Sequence, residues 1–140
     1  MKDKSQSYIS NVDAEIALLH SMLVDKVYID DAVTEIISDD FYFGQHGVVY
    51  NAICYLHERN CNIDPITLWE EITKRDQDNI VKKAYIEFLF DTEALASNIK
   101  EYIHIVKSKA KVRQTIKYAS NLIEIAKNTD TDPDDLLAHA

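Results

Sequence analysis

Few residues of this 140-residue chain stand at spacings that could do chemistry. Glu101-x-x-His104 matches the carboxylate and imidazole pair, three apart on a helix, that holds iron in di-iron bundles. Such a site needs a second pair and two further glutamates. None of the other histidines, at 20, 46, 57 and 139, has an acid three residues before it. The pair therefore reads as an exposed acid beside a surface or interface histidine. Cys54, His57 and Cys61 form a second metal-like group, but it lacks a fourth ligand nearby and mixes helix spacing with a loop residue. Reduced thiols are the simpler reading in a chain of this kind. The two glycines, Gly44 and Gly47, precede no Lys-Ser/Thr pair, so no phosphate-binding loop is written here. Serines and histidines lack the context of a nucleophile elbow. His46 reads as a helix-start residue hydrogen-bonded locally rather than as a base. The chain is expected to carry no catalytic site, no metal and no cofactor of its own.

What remains are residues that dock, and helices must position them. Gly 2 and Pro 2 leave little turn chemistry for hairpins of strands, and few Val-Thr-Ile alternations occur, so the expected fold class is all-α. A domain of this length buries roughly two thirds of its unfolded surface without disulfides. The longest apolar runs fall far short of a membrane span and no signal sequence is visible, so a cytoplasmic protein without membrane contact is expected.

After a disordered polar stretch at 1–9, a compact head of about five helices is expected over 10–96. The first helix is expected to begin at Ser10 or Asn11, where Ser10-x-x-Asp13 resembles a capping box, with Val12, Ile16, Leu19 and Leu23 following at helical spacing. A second helix, about 27–37, would turn Ile29, Val33, Ile36 and Ile37 inward. Phe41-Tyr42-Phe43-Gly44 reads as an aromatic plug where the chain reverses, because aromatics without adjacent basic residues are a poor signal for stacking on bases. A third helix, about 46–59, carries Val49, Ala52, Ile53 and Leu56. Asp64-Pro65 is the clearest boundary: Asp64 can accept free N–H groups, and Pro65 fits the first helical position, where its missing donor costs nothing. The helix it opens runs to about 74. Another, about 80–90, would bury Val81, Ala84, Tyr85, Phe88 and Leu89.

Residues 97–128 read as an antiparallel helical hairpin with a turn near Ser108 to Lys111. Ser97 would cap its first helix, which presents Ile99, Tyr102, Ile103 and Val106. On the second, at about 100° per residue, Val112, Ile116, Ala119, Ile123 and Ala126 form one apolar stripe. Tyr118, Leu122 and Ile125 form another beside it. A helix on a single core needs only one such stripe, so the second implies a deeper contact or another subunit. Charge is divided too: 8 Lys and Arg oppose 18 Asp and Glu over 1–96, whereas 7 oppose 2 over 97–127. A basic element on an acidic body can meet nucleic-acid phosphate or an acidic protein surface. Past Asn128 the chain turns acidic, Asp132-Pro133 opens a further helix, and little sequence follows. Residues 129–140 are therefore expected to start a linker in a longer protein.

With the helices placed, the order of short motifs resembles the N-terminal domain of DnaB-type replicative DNA helicases. The matching residues are Asn11-x-Asp13-Ala14-Glu15 with Leu19 and Leu23, Asp40-Phe41-Tyr42 followed by His46, and Leu56 through Ile63-Asp64 to Thr67-Leu68. Ala84-Tyr85-Ile86 with Leu89 comes next, then Ser97-Asn98-Ile99-x-x-Tyr102-x-x-Ile105-Val106 and Arg113. The likeness covers about residues 10–128. Two departures stand out: His20 occupies a position where the family often has glycine, and Val81-Lys82-Lys83 replaces the glycines usual before Ala84-Tyr85.

The resemblance implies a helical head carrying a hairpin that dimerises, a trimer of dimers forming a collar on a hexameric ring, and recruitment of primase. It implies a parent that unwinds duplex DNA with ATP and magnesium in a motor domain beyond a linker, with single-stranded DNA as a partner of the whole ring. It also assigns the surplus stripe to a subunit contact, made by Tyr102, Ile105, Val106, Tyr118, Leu122 and Ile125. The alternative is a stand-alone regulatory or nucleic-acid-binding protein with the same head, whose basic hairpin touches DNA.

Overall fold

The computed structural model describes residues 8–128 and 132–138. Among these residues every regular element is helical, and the chain divides into two compact units between Ala110 and Lys111. The expectation for the first nine residues lies outside the described part of the chain, apart from Tyr8 and Ile9.

The all-α head begins with α1 (Val12–Val24). Its cap is Asn11 rather than Ser10: the Asn11 side chain accepts the Ala14 N–H at 2.9 Å. Asp25 does the same for Val27 at 3.0 Å and starts α2 (Lys26–Val33). This helix stops four residues short of the expected Ile37, because the N–H groups of Glu35 and Ile36 both close on the Ala32 carbonyl. The chain leaves the helical period there, so Ile36 is buried while Val33 and Ile37 stay exposed. A 3-10 turn at 38–40 follows, and Asp40 accepts the Ile37 N–H at 2.9 Å.

Helix α3 (Gly44–Glu58) runs through the core, with Val49, Ala52 and Ile53 fully buried. Helix α4 (Pro65–Lys74) opens as its sequence predicts: Asp64 accepts the Thr67 N–H at 2.8 Å and Thr67 Oγ1 accepts the Asp64 N–H at 2.9 Å. Both helices stop in the same way. Asn60 and Asp76 adopt left-handed backbone (φ 57° and 56°), and the next residues, Cys61 and Gln77, donate back to the Leu56 and Ile72 carbonyls. Helix α5 (Lys83–Asp91) starts three residues later than expected because Ile80 and Val81 close a turn on Gln77. The later start rotates the inward face, so Ile86 and Leu89 are buried while Ala84 and Phe88 face solvent.

The turn expected near Ser108 to Lys111 does not form. Ile99–Lys127 is one helix of 29 residues, α6. Ser108-Lys109-Ala110-Lys111 contains no glycine, proline or asparagine, and nothing in it interrupts the hydrogen-bond ladder. Ser97 lies in a 3-10 turn at 96–98 instead of capping the helix. The next helix, α7 (Pro133–Ala138), is the one marked by Asp132-Pro133, with the Asp132 side chain accepting the Asp134 N–H at 3.0 Å. The first turns of α6 belong to the head, whose core includes Ile99, Ile103 and Val106.

The two glycines of α3 provide a test of this packing. A Cβ on Gly47 would stand 3.0 Å from the Ser38 carbonyl oxygen, which belongs to the turn that Asp40 holds, whereas one on Gly44 would meet nothing within 4 Å. Gly44→Ala should stabilise by up to about 1 kcal/mol through helix propensity. Gly47→Ala should lose that gain and destabilise by about 1 kcal/mol net, because a packed backbone must shift. Paired thermal melts check the opposite signs.

Candidate functional site

Two of the polar groups that the head buries, Glu15 and His46, meet in one line of hydrogen bonds. Glu15, in the first turn of α1, is 2% exposed, and His46, in the first turn of α3, has no exposure at all. Glu15 Oε1 lies 2.7 Å from His46 Nδ1, and the same carboxylate accepts the backbone N–H groups of Tyr42 at 2.9 Å and Phe43 at 3.4 Å. On the opposite side His46 Nε2 lies 2.6 Å from the Tyr85 hydroxyl of α5, with the two rings stacked 5.7 Å apart. Surrounded by donors, the carboxylate assigns the proton to Nδ1 and leaves Nε2 to accept the phenol O–H. Burial pushes the Tyr85 phenol up, a hydrogen bond from Gln45 draws it back, and the Glu15 charge raises it again.

A carboxylate, an imidazole and a hydroxyl in a row are the parts of a proton relay. Here the central imidazole of the row is sealed from solvent. What it does is fix α1, α3 and α5 and the 42–43 backbone to one another. His46 is therefore not hydrogen-bonded locally, as its sequence position suggested; its partners lie 31 and 39 residues away. Glu15, Tyr42, His46 and Tyr85 all lie in the ordered motifs of the sequence, which was the signal for their convergence.

Further polar ties support this one. Asp40, 2% exposed, receives Lys107 Nζ of α6 at 3.0 Å. The His20 ring meets the Leu89 carbonyl at 2.8 Å through Nδ1, so this side chain joins α1 to α5. The Tyr50 hydroxyl donates to the Ile36 carbonyl and secures the end of α2.

The metal-like groups are not assembled. Cys54 packs beside Tyr50, and burial pushes its thiol up. His57 Nε2 pairs with Asp30 at 2.8 Å, while Cys61 is exposed. Glu101 and His104 both face solvent. Among the described residues no group of three or more His, Cys, Asp or Glu side chains could hold a metal, and no helix is long and apolar enough to cross a membrane.

Burial also pushes the Tyr50 phenol up, followed in effect by Cys54. Cys54, Tyr50 and Tyr85 thus all hold their protons more tightly in the folded state than in the unfolded chain. Their contribution is complete below the unfolded values and is lost as pH rises past them. The melting temperature should accordingly fall from about pH 9 upward, as the unfolded chain alone sheds these protons. A Cys54→Ala, Tyr85→Phe variant should show a shallower alkaline decline.

The six residues assigned to a subunit contact divide between the two units. Val106 is 2% exposed in the head core and is unavailable to a partner; Tyr102 and Ile105 pack against that core. The single long helix is the reason, since its first turns complete the head. Tyr118 is exposed, and Leu122 and Ile125 are half-exposed. The first stripe is exposed too, with Val112, Ile116 and Ile123 at 37%, 44% and 54%.

The fold and these ties define a helical head domain that spends its buried polar groups on holding its own helices, with an apolar helix continuing from it. The chain belongs to the DnaB-like helicase N-terminal domain family, whose model matches residues 8–108. It is 28% identical over 131 residues to the replicative DNA helicase DnaC of Bacillus subtilis, a match that covers 93% of this chain and 29% of that protein. The chain therefore spans under a third of the length of such relatives. The crystal structure of the N-terminal domain of DnaB helicase from Mycobacterium tuberculosis matches with a TM-score of 0.84 at 27% identity, covering 94% of this chain and 96% of that one. The corresponding domain from Helicobacter pylori, described together with its interactions with primase, has the same fold, with a TM-score of 0.79 at 20% identity over 91% of this chain and all of that one.

Proposed function

We propose that this chain is the assembly and primase-docking domain of a ring-forming replicative helicase, and that unwinding driven by ATP and magnesium belongs to a motor domain of its parent. The observation that carries the reading is the unburied apolar surface of residues 111–127. Val112, Ile116, Tyr118 and Ile123 all stand open on the helix that leaves the head. Side chains of this size in stripes along one helix are an interaction surface, because isolated exposed apolar residues are ordinary but contiguous ones seek a partner. A second copy is the natural partner, since a symmetric pair covers the same stripe twice. Primase docking is supported by the interactions with primase described for the Helicobacter pylori domain of the same fold. Light scattering across concentration tests assembly: the mass should rise to that of a dimer, and a strict monomer of full helicity at high concentration would overturn it. Binding of purified primase to the chain, measured by calorimetry, tests the docking role.

A further inference from the structure

Away from the buried ties and from α6, an open recess of about 500 Å³ lies between the ends of α3 and α4. Tyr55, Arg59, Glu71, Lys74 and Arg75 line it, the one carboxylate, Glu71, being paired with Arg75. Six Lys and Arg side chains occur between residues 8 and 96, at 26, 59, 74, 75, 82 and 83, and three of them meet here. The Arg59 guanidinium lies over the Tyr55 ring at 3.5 Å, and that of Arg75 lies 4.8 Å from the same ring. Stacking fixes a guanidinium plane and leaves its N–H edge free for a bidentate acceptor. Arg75 is further held by Glu71, Nε to Oε2 at 3.0 Å. Among the described residues no carboxylate lies within ion-pair distance of Arg59 or Lys74. We propose that this recess docks the carboxylate side chains of an acidic segment of a protein partner.

Two features favour that occupant over nucleic acid. Arg59 covers the Tyr55 ring, so the ring offers no stacking platform to a base. The surrounding head is strongly acidic, 8 Lys and Arg against 18 Asp and Glu over residues 1–96, and would repel a long run of phosphates while admitting one or two carboxylates.

The test uses the full chain labelled with nitrogen-15 and a short capped peptide carrying one Asp-Glu pair among neutral residues. The Arg59 and Arg75 side-chain N–H resonances should shift on titration. Arg59→Gln should weaken binding about tenfold, as expected for losing one charge-assisted fork. Lys74→Gln should weaken it less, and both variants should melt like the wild type because both side chains are exposed. The isosteric Asn and Gln peptide should not bind. The proposal is overturned if the acidic peptide moves no resonance of the recess, or if Arg59→Gln binds it equally well. Tighter occupation of the same residues by oligothymidylate would instead make the recess a nucleic-acid contact. Tighter occupation by inorganic pyrophosphate would make it a site for free phosphate.

Discussion

Glu15→Ala is expected to cost about 3–5 kcal/mol, because a carboxylate that accepts several hydrogen bonds is lost and its donors are left unpaired. Three donors would lose their acceptor at once: the Tyr42 and Phe43 N–H groups and His46 Nδ1–H. Each buried donor left without a partner costs about 1–3 kcal/mol, so the range follows even after partial relaxation. With the whole stability of a domain at about 5–15 kcal/mol, the variant should melt at least 10 °C below the wild type. Tyr85→Phe removes only the outer hydroxyl and should cost about 1 kcal/mol. Glu15→Ala and His46→Ala combined should cost less than the sum of the two, because each breaks the same line. Thermal melts of the wild type and these four variants decide this, and a Glu15→Ala variant melting within a degree or two of wild type would show that the line holds nothing.

Ile116→Ser combined with Ile123→Ser is expected to leave the melting of the head unchanged while weakening self-association at least a hundredfold. Every residue of the head core lies before Lys111, so neither isoleucine contributes to it. In an assembled pair each buried isoleucine contributes about 1.5–3 kcal/mol, and two per chain exceed the 2.7 kcal/mol or so that a hundredfold change represents. Leu122→Ser with Ile125→Ser tests the neighbouring stripe. The stripe whose loss moves the sedimentation equilibrium further is the one nearer the centre of the contact. Equal association of both variants with the wild type would remove α6 as the assembly element.

Basic residues along α6 leave one other partner open to measurement. Phosphate contacts by several lysines would make affinity fall steeply with salt. Absence of binding to single-stranded DNA at low salt would therefore remove the nucleic-acid reading of this helix.

The helices of the head were legible in the chain because local chemistry writes them. Asp64-Pro65 and Asp132-Pro133 placed α4 and α7, and the spacing of Val49, Ala52, Ile53 and Leu56 placed α3. Where the reading failed, a local signal was overridden or absent. The helix at 27–37 was drawn too long because a two-donor turn on Ala32 leaves no mark in composition. The turn expected at 108–111 has no glycine, proline or asparagine to write it, and the helix runs straight through.

Sequence alone determined the helical class, the starts of α4 and α7, the acidic head with its basic helix and the ordered motifs of the family, since each depends on residues a turn or less apart or on their order. Tertiary structure alone decided that Val106 closes the head while the stripes beyond Lys111 remain uncovered, and that Glu15, His46 and Tyr85 form one line. Those facts depend on which helix faces end up opposed. Burial, and with it the role of a histidine or an apolar side chain, is set by neighbours tens of residues away.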